Sequence, residues 1–192
     1  MIKKLMALAF CFLLVFATNV SASNTHVKTP AEITAEDILL TKIATEIGPG
    51  NYKGLQDWLS KNIKYQNDRR SDDEWREPFQ VLKDGYGACT AFSVVSLEIL
   101  KRMGEKNVFL LGVTSVGRNM GHVVTIFKTN PEDVWQYYNF EKLEKGKVGF
   151  KDTIYAIARE SRYGSHIEYQ LADVNRKNVP QANEKDYPVL GV

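Results

Sequence analysis

The strongest constraint on the fold of this chain is an apolar segment that follows a glycine-rich turn, residues 84–104. It reads D-G-Y-G-A-C-T-A-F-S-V-V-S-L-E-I-L-K-R-M-G, with Cys89 where the turn meets the apolar run. The apolar residues cover too much of a helical circumference for a surface helix, so the pattern predicts a helix in the centre of the domain. Gly104 is placed to end this helix in a left-handed conformation.

The position of Cys89 at the predicted start of that helix has chemical consequences. The positive end of the helix dipole and the unpaired N–H groups of the first turn both favour a thiolate over a thiol. The same N–H groups can stabilise a developing oxyanion. Cys89 is therefore a candidate nucleophile, and the alternative is that it serves as a small buried hydrophobe.

The chain begins with a segment typical of a secretory signal, residues 1–22. Two lysines and an apolar run precede Val20-Ser21-Ala22, which fits cleavage after Ala22. We expect a periplasmic or secreted protein whose mature form keeps Cys89 as its single cysteine, because Cys11 lies in the apolar run. One thiol cannot form an internal disulfide, so in an oxidising compartment Cys89 is either buried and inert or retained for its reactivity.

The charge balance gives no support to nucleic acid or an anionic membrane as a partner. The chain has 25 basic and 23 acidic residues, and loss of Lys3 and Lys4 with the signal makes the two numbers equal. A neutral chain has no electrostatic basis for binding polyanions. No later apolar run is long enough to span a membrane. We expect a monomer with a protein or peptide substrate.

The remaining pattern predicts helices in the first half and strands in the second, which is typical of the α+β class. We divide the chain into a signal peptide (1–22), a flexible lead-in (23–33), one catalytic domain (34–174) and a tail (175–192). Further helices are expected at 34–47, 52–63, 79–83 and 153–162, strands at 107–116, 122–127, 134–140 and 166–171, and a loop at 141–151.

A predicted hairpin brings two polar residues together. If its turn is centred on the Asn130–Pro131 bond, His122 faces Asn139 directly across the two strands. The Asn139 amide can then accept the Nδ1 proton of His122 and turn Nε2 toward a nucleophile. The sequence thus predicts a triad of Cys89 as nucleophile, His122 as general base and acid, and Asn139 as orienting group. A shift of one residue in register would separate the pair.

Four further residues are candidates for supporting roles. Gln66 and Gln80 are candidates for a second oxyanion donor by side-chain type alone. Trp135 and Tyr137 share the Asn139 side of their strand, and they either border a substrate groove or pack in the core. The three histidines of the chain have no ligand spacing between them, so the sequence predicts no metal site.

The order of these motifs resembles the transglutaminase-like superfamily, in particular its exported bacterial cysteine peptidases. The resemblance covers about residues 55–140 and includes W-x-x-P at 75–78, G-Y-G-A-C at 85–89, G-H-V-V at 121–124 and W-Q-Y-Y-N at 135–139. It implies a papain-like α+β fold, in which a central helix with the cysteine at its N-terminus packs on an antiparallel sheet. It also implies Cys89 as nucleophile, His122 as base and Asn139 as third member, in a peptidase that acts on a cell-envelope protein without a cofactor.

Two residues depart from the family pattern. Asn139 stands where the family usually has Asp, and Ala88 stands where an Asp often precedes the cysteine. An amide stabilises an imidazolium less than a carboxylate does, and the nearby acid, Asp133, lies in the predicted turn. Calcium-dependent relatives carry acids beside their cysteine, whereas Thr90 and Ala91 follow it here, so we do not infer a calcium site.

Two alternatives to a peptidase remain open on these residues. The same site can transfer an acyl group to an amine, as in a transglutaminase or an amidase. The fold can also serve as a binding module without activity. Fast reaction of Cys89 with a thiol probe separates the enzymes from the binding module.

Overall fold

The computed structural model describes residues 29–66, 76–115, 121–130, 132–162 and 167–172. The predicted signal peptide, the tail 175–192 and Trp75 lie outside the described residues, as do the other two histidines, His26 and His166. Within the described ranges, no helix has the length and apolar character needed to cross a membrane.

The described residues form five helices and seven strands. The helices and four of the strands follow the order expected from the sequence, whereas three short strands, at 64–65, 86–87 and 142–145, were not expected. The helices are α1 (Pro30–Ile47), α2 (Tyr52–Asn62), α3 (Pro78–Asp84), α4 (Cys89–Arg102) and α5 (Phe150–Glu160). The strands are β1 (Lys64–Tyr65), β2 (Tyr86–Gly87), β3 (Asn107–Ser115), β4 (Gly121–Lys128), β5 (Gln136–Asn139), β6 (Lys142–Lys145) and β7 (Ile167–Ala172).

Five strands form one antiparallel sheet in the order β6-β5-β4-β3-β7, and β1 and β2 form a separate parallel pair. Strand β3 shows that both faces of the sheet are covered, because its consecutive residues are buried in two different cores. Val108 and Leu110 join the first core, which contains α4 and residues of α1, α2 and α3. Phe109 and Leu111 join the second core, beneath α5. The expected α+β fold, with a central helix packed on an antiparallel sheet, is confirmed.

Helix α4 is the centre of the first core, as its composition predicts. Residues 91–97 are all buried. On the remaining polar side, Arg102 Nη1 lies 2.5 Å from Glu98 Oε2. After the helix, Gly104 adopts a φ of +98°, the left-handed conformation expected of it.

A seam of hydroxyl groups fixes α4 on β4. Ser93 Oγ donates to the Val123 carbonyl at 3.0 Å, and the Ser96 and Thr125 hydroxyl oxygens lie 2.7 Å apart. Thr125 also donates to the Ser93 carbonyl at 2.7 Å. These buried polar groups satisfy one another, which removes the penalty of burying them. Because Ser93 is one turn beyond Cys89, the seam places the start of α4 at the start of β4.

Helix α1 begins earlier than the sequence pattern indicates. We expected Thr34 to cap the helix, but its Oγ1 donates to the Pro30 carbonyl at 2.8 Å, within the helix. Pro30 occupies the first helical position, where its fixed φ is favourable and its missing N–H costs nothing. The predicted flexible lead-in is therefore wrong at residues 30–33.

The predicted loop at 141–151 is also wrong. It contains β6, which pairs with β5, and the first residues of α5. The lysines that suggested a loop, Lys142 and Lys145, are exposed on an edge strand. Charged residues are common there, because they discourage pairing with another chain.

Candidate active site

Cys89 is the first residue of α4 and is half-buried. The turn before it depends on Gly85, which ends α3 with a φ of +70°. The extended residue Ala88 then leads into the helix, and its carbonyl accepts a hydrogen bond from the Ala91 N–H at 3.1 Å. Ala88 has no side-chain acceptor, so it cannot compete for the N–H groups of the first turn.

Arg76 braces the turn in front of Cys89, a role that the sequence pattern does not reveal. Its Nη1 donates to the Tyr86 carbonyl at 2.9 Å, and its guanidinium lies 5.1 Å from the centre of the Tyr86 ring. Nη2 also pairs with the Asp84 carboxylate. These contacts hold α3 and β2 together immediately before the cysteine.

Gly87 is placed where the turn has no room for a side chain. A Cβ atom there would lie 2.2 Å from the Ala91 Cβ. We expect Gly87→Ala to lower the free energy of unfolding by about 1–3 kcal/mol, because α4 must move to relieve the overlap. Urea denaturation measures the change. Ala88→Gly, which adds no atoms at the neighbouring position, is the control. Equal stability of the two variants would contradict the close approach of Gly87 to Ala91.

The structure joins His122 to Asn139. His122 is the second residue of β4 and is 8% exposed. Its Nε2 lies 2.8 Å from Asn139 Oδ1. An amide oxygen only accepts hydrogen bonds, so Nε2 carries the proton and Nδ1 is left as the basic nitrogen. This reverses the roles that we assigned to the two ring nitrogens from the sequence.

The predicted register of the hairpin is wrong by two residues. Thr125 pairs with Tyr138 and Ile126 with Tyr137, so Asn139 lies diagonally across from His122. The turn is centred one residue later than assumed, because Asp133 closes it: its carboxylate accepts hydrogen bonds from the Asn130 N–H and side-chain amide. A shift of two residues keeps both side chains on the predicted face, which is why the contact survives.

Phe140 connects the elements that carry the three residues, and the sequence gives no sign of it. Its ring centre lies 5.1 Å from that of His122, 5.9 Å from that of Phe92 and 4.9 Å from that of Tyr65. Phe140 also has a φ of +56°, a conformation that costs a residue with a side chain about 1–3 kcal/mol. Because Phe92 follows Cys89 by one turn, the ring brings the start of α4 and the histidine to one place.

The two glutamines that we considered as oxyanion donors have different surroundings. The Gln80 amide donates to Asp84 Oδ1 at 2.8 Å, within α3. Gln66 follows β1, and its backbone N–H donates to the Gly87 carbonyl at 3.0 Å, two residues before Cys89. The Gln66 side chain is exposed. Gln66 is therefore the glutamine that the chain holds beside the cysteine turn.

Of the two positions that the sequence left open for Trp135 and Tyr137, a substrate groove or the core, the structure shows the core. Each is 1% exposed, and both belong to the second core beneath α5. They share a strand face with Asn139, as expected, but α5 covers that face at their positions. Among the described residues, no group of three or more His, Cys, Asp or Glu side chains is placed to hold a metal ion.

Burial lowers the pKa of His122 below its ordinary value, and the Asn139 hydrogen bond and the negative charge of Glu160 oppose this shift. The ring is therefore neutral near pH 7, and its free Nδ1 can accept a proton. A neutral imidazole is the form required of a general base.

The lowered pKa of His122 predicts a loss of stability in acid. Between its folded pKa and about 6.5, the unfolded chain binds the His122 proton more tightly, so the free energy of unfolding rises with pH. The contribution is complete above about pH 6.5 and is lost as the pH falls through the folded value. Urea denaturation across this range should show a smaller pH dependence for Cys89→Ala/His122→Gln than for Cys89→Ala. An equal dependence would contradict the lowered pKa.

Several solved structures are similar to this chain, and three of them are described here. Legionella pneumophila LapG in its calcium-bound form is 20% identical, with a TM-score of 0.44 over 56% of this chain and 65% of that one. A candidate cysteine protease from Cytophaga hutchinsonii is 13% identical, with a TM-score of 0.42 over 72% of this chain and 46% of that one. A structure reported as a TGase is 16% identical, with a TM-score of 0.38 over 68% of this chain and 35% of that one.

The chain therefore spans between about a third and two thirds of the length of these three proteins. A search among curated proteins found no match. Residues 50–135 match the family model described as a transglutaminase-like domain, a range that includes Cys89 and His122 and ends four residues before Asn139. Residues 50–135 of the chain are therefore similar to transglutaminase-like domains.

Proposed function

We propose that this protein is an exported thiol hydrolase, a cysteine peptidase that cleaves a protein of the cell envelope. Cys89 is the nucleophile, His122 the general base and acid, and Asn139 the group that orients the imidazole. The observation that supports this most is the hydrogen bond from His122 to Asn139, formed at the end of the sheet where α4 begins. Export follows from the signal-like residues 1–22.

The acylation step uses the free nitrogen of His122. The Cys89 thiol gives its proton to Nδ1, and the sulfur attacks the carbonyl carbon of the scissile amide. The tetrahedral intermediate collapses when Nδ1–H protonates the leaving amine, which leaves an acyl group on Cys89. Asn139 Oδ1 accepts the Nε2–H bond throughout, so the ring keeps its orientation.

Water completes the cycle with the same groups. His122 takes a proton from the water that attacks the acyl carbon, and the thiol recovers a proton as the carboxylic acid product leaves. The oxyanion of each intermediate lies against the N–H of Cys89, at the N-terminus of α4. The Gln66 side chain is the proposed second donor, because its backbone is tied to Gly87.

The test is the reaction of Cys89 with a peptidyl vinyl sulfone, an electrophile that reports an activated thiol. Intact mass measures the labelling rate of the mature chain, folded and in urea, with Cys89→Ala as the control. We expect the folded protein to react faster. Slower labelling of the folded protein would overturn the proposal and leave a binding module as the remaining function.

A second measurement separates hydrolysis from acyl transfer. Peptide mixtures are incubated with the protein in the presence and absence of a primary amine, and the products are identified by mass. New carboxyl termini support a peptidase. Amide adducts of the amine would instead assign the site to acyl transfer, the alternative that the same three residues allow.

A further inference from the structure

The sheet face that carries His122 and Asn139 also meets a carboxylate from another element. His122 lies at the end of β4, where its ring contacts Phe140 beside the first core. The next two residues on its side of the strand, Val124 and Ile126, pack in the second core beneath α5. Continued by one residue beyond the Thr125–Tyr138 pair, this register brings Asn139 opposite Val124, on the same side of the sheet. Helix α5 packs on this core through Ile154 and Ile157 and ends at Glu160.

A buried tyrosine holds the Glu160 carboxylate in place. Tyr137 Oη donates to Glu160 Oε2 at 2.8 Å, and Tyr137 is two residues before Asn139 on the same side of β5. Burial, and then Glu160, raise the pKa of Tyr137 above its ordinary value, so the phenol keeps the proton that it donates. The carboxylate is thereby fixed beside the strand position that orients His122.

In the proposed reaction, His122 passes through a charged form that a nearby negative charge stabilises. His122 becomes an imidazolium when it takes the thiol proton, and burial disfavours a charged ring. Asn139 orients the ring, but a neutral amide supplies no compensating charge. The negative charge of Glu160 favours the charged ring.

We propose that Glu160, held by Tyr137, is the electrostatic partner of His122 and stabilises its charged form during the reaction. Glu160 is a positioning residue that acts through the histidine, and its catalytic part rests on the function proposed above. Among the described residues, Tyr169 of β7 is a further titratable group on a neighbouring strand, because it pairs with Val113, the residue opposite His122. The negative charge of Glu144 of β6 helps to raise the pKa of Tyr137.

Nuclear magnetic resonance titration of the His122 ring tests the coupling without relying on activity. The titration is done in the Cys89→Ala chain, with His122→Gln used to assign the signal. We expect Glu160→Gln to lower the His122 pKa by about half a unit, the shift typical of a partly exposed charge pair. Tyr137→Phe should lower it less, because the carboxylate remains but is no longer held.

Asp152→Asn is the matched control, since it removes one negative charge from the other end of α5. Its His122 pKa should equal that of the parent. The proposal is overturned if Glu160→Gln shifts the pKa no more than Asp152→Asn does. An unchanged pKa in Tyr137→Phe would overturn the part assigned to the tyrosine.

A kinetic measurement tests the catalytic part in the protein with Cys89. Labelling by the vinyl sulfone is followed across pH in Glu160→Gln and Glu160→Asp. We expect a lower maximal labelling rate in Glu160→Gln, by about 3- to 10-fold, and recovery of most of the rate in Glu160→Asp. An unreactive wild-type Cys89 defeats the proposed function, whereas the titration decides the Glu160–His122 coupling by itself.

Discussion

Replacement of His122 by alanine is expected to slow the reaction of Cys89 with iodoacetamide by about 100- to 10,000-fold near pH 7, the range for loss of a positioned base. In the mechanism proposed above, Nδ1 accepts the thiol proton, so the wild type should react fast below the ordinary thiol pKa of about 8.5. Without the imidazole, the helix N-terminus alone favours the thiolate. The measurement is the labelling rate between about pH 5 and pH 9, followed by intact mass.

The labelling rate of Cys89 in Asn139→Ala should lie between those of the wild type and His122→Ala, because the imidazole remains but loses the hydrogen bond that orients it. The matched control is Asn62→Ala, which removes an exposed asparagine that donates to the Trp58 carbonyl. Circular dichroism establishes that each variant is folded. If His122→Ala keeps the wild-type rate and pH profile, Cys89 and His122 do not act as a pair, and the triad hypothesis fails.

The sequence predicts the parts of this site that depend on local pattern. A glycine-rich turn followed by an all-round apolar segment is enough to place Cys89 at the start of a buried helix. Alternation and β-branched residues are enough to place His122 near the start of a strand. Both predictions use neighbours along the chain, and the structure agrees with both.

The predicted pairing of His122 with Asn139 shows that local sequence pattern does not determine the register between two strands. The sequence correctly predicts a turn after β4. Hydrogen bonds from the Asn130 N–H and side-chain amide to the Asp133 carboxylate move the centre of that turn by one residue. Sequence reasoning therefore chose the wrong opposite residue and the wrong ring nitrogen. The contact is still made because two residues of shift preserve the strand face, whereas one residue would have separated the pair.

Phe140 and Glu160 could not be found from the sequence, because their roles depend on packing between distant segments. Phe140 follows the strand in a left-handed conformation that no glycine signals. Glu160 meets Tyr137 only because α5 covers the second core, to which Tyr137 belongs. The sequence pattern shows that Tyr137 shares a face with Asn139, but it does not show which helix covers that face.

Trp135→Ala should be the most destabilising of the substitutions considered, with a loss of about 3–5 kcal/mol in the free energy of unfolding. Trp135 is 1% exposed and packs edge-on against Phe150, with the ring centres 5.3 Å apart. The Lys128 ammonium also lies 5.3 Å from the centre of the indole. Truncation to alanine removes these contacts and leaves a cavity between the sheet and α5.

Urea denaturation measures this loss, and Trp135→Phe should recover much of it by filling the cavity with another aromatic ring. Trp58→Ala is the matched control, because Trp58 lies on α2 and is only half-buried. The loss in the free energy of unfolding should be clearly smaller for Trp58→Ala than for Trp135→Ala. The labelling rate of Cys89 in the folded fraction should be unaffected in Trp135→Phe, since the indole lies in the second core and away from the start of α4. A Trp135→Phe variant of normal stability and altered labelling would instead favour the substrate groove, one of the two positions that the sequence left open for Trp135.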